Sequence, residues 1–66
     1  MEIYAELTKK QKESLDSGAK LDLPEGVIVT RKSGSRACFF DCEDRPAYLE
    51  MIDSLEENRI LWQDNG

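Results

Sequence analysis

Met1, Ile3, Ala5 and Leu7 alternate with Glu2, Tyr4 and Glu6. Period 2 is the spacing of a half-buried strand, so the chain opens on a β element with one apolar face. Thr8 breaks the alternation and begins Thr-Lys-Lys-Gln. There the Thr8 hydroxyl and the Gln11 side chain can satisfy the first free amides of a helix. That helix is expected to reach about Ser17, with Gly18 as the residue past its end. Its apolar stripe is little more than Leu15, which predicts a short peripheral helix.

Beyond the Pro24-Glu25-Gly26 turn, Val27-Ile28-Val29-Thr30 is wholly β-branched and reads as a strand. Lys32-Ser33-Gly34-Ser35 is a hairpin turn, and Arg36 to Cys42 the return strand. Asp44 then caps a second helix with Pro46 in its first turn. Tyr48, Leu49, Met51, Ile52 and Leu55 recur at helical spacing, with Glu50, Asp53 and Glu57 on the far side. Asn58 ends this helix. Ile60-Leu61-Trp62 suits an edge strand, and residues 63–66 read as a frayed tail.

The order β-α-β-β-α-β over residues 1–66 predicts a single α+β domain of ferredoxin-like arrangement. Both helices would cover one face of a four-stranded antiparallel sheet, with the first and third strands central. The rival reading, α-β-β-α, turns Met1 to Ser17 into one longer helix. Sixty-six residues bury only about 60% of the surface their unfolded chain exposes, so little is left for a deep pocket.

The chemistry on offer is sparse. There is no histidine, and the two cysteines, Cys38 and Cys42, cannot close a four-ligand zinc site. Four residues apart on a strand, they lie about 13 Å from each other at roughly 3.3 Å per residue, too far to bridge. They read as small buried hydrophobes. No nucleophile–base pair and no phosphate-binding loop is present. The expectation is a non-catalytic protein without cofactor or metal.

Charge is segregated. Between Asp41 and Glu57 seven acids face Arg45 alone, within a chain of net charge −5. Such a balance opposes non-specific binding to nucleic acid or anionic membranes. No apolar run approaches the roughly 20 residues of a membrane span. Met1-Glu2-Ile3-Tyr4 lacks the regions of a secretory signal, which predicts the cytoplasm.

Strand phase supplies the sharpest expectation. If Cys38, Phe40 and Cys42 face the helices, then Ala37, Phe39 and Asp41 face the open side, where Tyr4 also points. Tyr4 and Phe39 become neighbours on an uncovered face, with Ile28 or Leu61 beside them, and such a patch suits an interface. Ile3-Tyr4-Ala5-Glu6-Leu7 and Ser35-Arg36-Ala37-Cys38-Phe39-Phe40 resemble the two signature strands of RNA-recognition motifs, whose central-strand aromatics stack bases. The resemblance implies that the first and third strands are central.

The leading functional expectation is a protein-binding module, a small regulator or inhibitor, using Tyr4 and Phe39 with Glu50, Asp53 and Glu57. The alternatives are a single-stranded RNA or DNA binder gripping phosphates with Arg31, Lys32 and Arg36, and an accessory subunit of a larger complex. The exposed apolar surface of so small a domain tips the expected state toward a homodimer.

Overall fold

The computed structural model describes residues 1–32 and 34–66. Its elements are β1 (Glu2–Glu6), α1 (Lys9–Asp16), β2 (Val27–Thr30), β3 (Ala37–Cys42), α2 (Arg45–Glu57) and β4 (Leu61–Asp64). The strands form one open sheet in the order β2-β3-β1-β4, and each neighbouring pair is antiparallel. The first and third strands are central. The rival α-β-β-α reading fails because residues 2–6 form the strand that β3 and β4 both pair with. Period 2 over Met1–Leu7 outweighs the helix signal that begins only at Thr8. Hydrogen bonds from Leu7 N–H to the Arg36 carbonyl and from Cys42 N–H to the Met1 carbonyl carry the pairing one residue past each end of β1.

Both helix starts follow from side-chain capping. The Thr8 hydroxyl accepts from Gln11 N–H at 3.1 Å while Gln11 Oε1 accepts from Thr8 N–H at 2.8 Å, a complete capping box. Asp44 caps α2 by accepting from Ala47 N–H at 2.9 Å. α1 ends at Ser17, and Gly18 follows with φ +110°, a backbone conformation few L side chains adopt. The Ser33 position of the predicted hairpin turn lies outside the described residues. Ser35 N–H donates to the Lys32 carbonyl at 3.0 Å.

The core lies on one side of the sheet. Ile3, Ala5 and Leu7 from the first strand and Cys38, Phe40 and Cys42 from β3 pack against Ala47, Met51 and Leu55 of α2. Fully burying side chains such as Phe40, Ile3 or Met51 stabilises the fold by about 1.5–3 kcal/mol each. α1 contributes no fully buried residue, and its Leu15 only leans on the core. Leu49 departs from the expected stripe. It lies two positions round from Ala47 and Met51, on the outer side of α2, and is 47% exposed. The last strand is also displaced from its expected place. Gln63 and Asp64, expected in a frayed tail, pair with β1, and Asn65 N–H donates to the Glu2 carbonyl at 2.9 Å. The unpaired outer edge of β1 supplied the partners that local sequence did not announce. Among the described residues no helix is long and apolar enough to cross a membrane.

Candidate functional site

Among the described residues no element covers the sheet face opposite α2. The register makes Tyr4 the direct partner of Phe39, and their rings lie 5.4 Å apart at 55°. This tilted contact is within the favourable range for aromatic pairs. Thr30 and Gln63 complete the central row across the four strands. Ile28, paired with Asp41, and Leu61, paired with Glu6, stand at opposite corners and are 68% and 73% exposed. Three carboxylates rim the aromatic pair: Glu2 and Glu6 two residues either side of Tyr4, and Asp41 two residues from Phe39. Arg36 offsets one of them, 3.8 Å from Glu6, and its Nε donates to the Leu7 carbonyl at 2.8 Å. The face is therefore amphipathic and net acidic.

Glu50, Asp53 and Glu57 lie elsewhere. With Asp22, Leu23 and Pro24 they line an open groove of about 630 Å³ along α2. Ser54 closes its floor by donating its hydroxyl to the Asp22 carbonyl at 3.2 Å. α2 covers the core face, so this groove and the Tyr4–Phe39 pair are on opposite sides of the sheet. A single flat partner cannot touch both. Among the described residues no cluster of three or more acids or cysteines is disposed to hold a metal ion.

The three cations of the phosphate-binding alternative do not converge either. Arg31 donates from Nη2 to Asp16 at 2.6 Å, in a cluster with Lys12, which lies 3.2 Å from the same carboxylate. Arg36 is engaged at the end of β1 as described, and Lys32 is exposed in the turn. The cysteines are buried and free, and burial raises both thiol pKa values. Sequence reasoning found Tyr4, Phe39, Ile28 and Leu61 by strand phase. The same alternation turns Glu2, Glu6 and Asp41 outward, and their effect on the aromatic pair emerges only with the register. Asp22 reaches the α2 groove by a turn of the chain that no spacing encodes.

No family profile matches the chain, and no curated protein or solved structure is significantly similar to it.

Proposed function

We propose that the chain is a non-catalytic protein-binding module of ferredoxin-like arrangement that engages its partner through the open sheet face. The strand order and the two helix positions support that arrangement. The observation that carries the binding reading is the Tyr4–Phe39 pair at the centre of an uncovered face, with Ile28 and Leu61 at its corners. Aromatic anchors surrounded by a polar rim are the anatomy of an interface centre. Glu2, Glu6 and Asp41 favour a partner with basic groups around an apolar core. They oppose both a nucleic-acid backbone and a second copy of this face. In this reading Glu50, Asp53 and Glu57 serve to keep the outer side of α2 soluble. The module would regulate or inhibit by occupying its partner.

The test is capture of a partner by immobilised protein from source cells, in parallel with Phe39→Ala and with a Glu50→Gln, Asp53→Asn, Glu57→Gln variant. The reading expects retention that falls as salt rises, is lost with Phe39→Ala and persists in the triple variant. Undiminished capture by Phe39→Ala would overturn it. Light scattering supplies a second check: a mass near 7.6 kDa leaves the face free for a foreign partner, whereas twice that mass assigns it to self-association.

A further inference from the structure

α1 is only eight residues long and buries none of them, so the layer over β2 is thin. Beneath it, where the segment between α1 and β2 crosses the sheet, lies a pocket of about 280 Å³. Its walls are Leu15 of α1, Leu21 and Leu23 of the connecting segment and Val29 of β2, with Cys38 of β3 behind them. The charged groups lining it are Arg31 and Lys20. Among the described residues no carboxylate lines it, although the chain has a net charge of −5.

Arg31 is incompletely used. Its Nη2 holds Asp16, but its Nε is buried and has no hydrogen-bond partner among the described residues. Such an unsatisfied donor is costly and rare. The guanidinium draws the Cys38 thiol's pKa down by its charge and by a side-chain hydrogen bond, against the larger upward effect of burial. A neutral thiol is only a weak acceptor and a poor partner for it. The pocket thus combines an apolar lining with two cations, Arg31 and Lys20.

We propose that this pocket binds a small amphipathic anion, a carboxylate with a short aliphatic tail. The tail lies among Leu15, Leu21, Leu23 and Val29, and the carboxylate pairs with the Arg31 guanidinium and Lys20, the two charged groups that line the pocket. The carboxylate competes with Asp16, which holds Nη2, for the guanidinium. The volume holds about nine water-sized units at roughly 30 Å³ each, which suits a carboxylate of six carbons in all and is too small for a long-chain fatty acid. This site is separate from the open sheet face and does not depend on that face's partner.

Sodium hexanoate, with 1-hexanol as its uncharged counterpart, tests the proposal by ¹H–¹⁵N NMR titration at fixed ionic strength. Saturable shifts are expected at Leu15, Leu21, Val29 and the Arg31 side chain, with 1-hexanol binding about tenfold more weakly for want of the charge-assisted hydrogen bond. Arg31→Gln should weaken hexanoate by a similar factor. Asp16→Asn, which releases Arg31, should tighten it, and this distinguishes a carboxylate site from loose packing. Absence of saturation, equal affinity for hexanol, no response to Asp16→Asn, or shifts centred on Tyr4 and Phe39 would each overturn it.

Discussion

The Gln11 side-chain amide donates to the Arg59 carbonyl at 3.2 Å, joining the start of α1 to the end of α2 across 48 residues of chain. The same Nε2 reaches the Asn58 carbonyl at 3.3 Å, while Oε1 closes the capping box with Thr8. One side chain thus starts one helix and occupies free carbonyls at the end of the other. Gln11→Ala removes both functions and should cost about 1–2 kcal/mol in urea unfolding. Gln11→Glu keeps the acceptor for Thr8 N–H but sets a carboxylate against two carbonyls, so it should recover only part of the loss.

Arg59 has φ +58°. Ile60 N–H donates to the Leu55 carbonyl and Arg59 N–H to the Glu56 carbonyl, the paired bonds of a Schellman ending with Arg59 at the left-handed position. Leu55 and Ile60, both buried, make its apolar contact. An L side chain there is strained by roughly 1–2 kcal/mol, part of which glycine returns as unfolded-state entropy. Arg59→Gly should therefore stabilise the fold by about 0.5–1 kcal/mol, read as a higher urea midpoint at unchanged slope.

Phe40 is completely buried at the centre of β3, beneath α2. Phe40→Ala removes its transfer energy and leaves a cavity, a combined loss of about 3–5 kcal/mol. A 66-residue domain has roughly 3–10 kcal/mol in total. The variant should be largely unfolded by far-UV circular dichroism at 37 °C. Phe39→Ala, one residue away but on the open face, should leave the fold intact.

Arg31, hydrogen-bonded to Asp16, holds its carboxyl below the ordinary value of 3.8, and Lys12 adds to the effect. A depressed folded-state pKa means that stability is present above the unfolded value and is lost as pH falls below it. Tyr48 behaves oppositely. Desolvation, followed by its 3.1 Å hydrogen bond to Asp64, raises its pKa above the ordinary 10.0. Its contribution is complete below pH 10 and lost as pH rises through the elevated value. Asp16→Asn should flatten the acid limb of a stability–pH profile and leave the alkaline limb unchanged, while Tyr48→Phe should do the reverse.

The strands and caps were legible because their signals are local. Alternation at Met1–Leu7, the β-branched run at Val27–Thr30 and the caps at Thr8 and Asp44 each specify their own conformation. Tyr4 against Phe39 followed once those strands were taken as adjacent. What stayed hidden depends on distant chain. Gln63 and Asp64 become strand only because β1 offers a free edge. Asp16 captures Arg31 across the sheet end, and this removes a cation from the phosphate-binding set. Leu49 looked like core because helical spacing tolerates a neighbour of the true stripe, and only the position of the sheet decides which side is buried.

Cys38 and Cys42 lie on the inner side of β3, each 1% exposed, in the strand flanked by β1 and β2. Cys42 lies within the core under α2, so a thiol reagent reaches it only when the helix layer leaves the sheet, whereas Cys38 stands behind the pocket under α1. The Cys42 modification rate in native buffer therefore times global opening, with no denaturant and no extrapolation. Cys38 should react at that rate or faster, the excess measuring how often the layer under α1 opens by itself. A faster Cys42 would mean that the end of β3 beside Met1 frays before the rest.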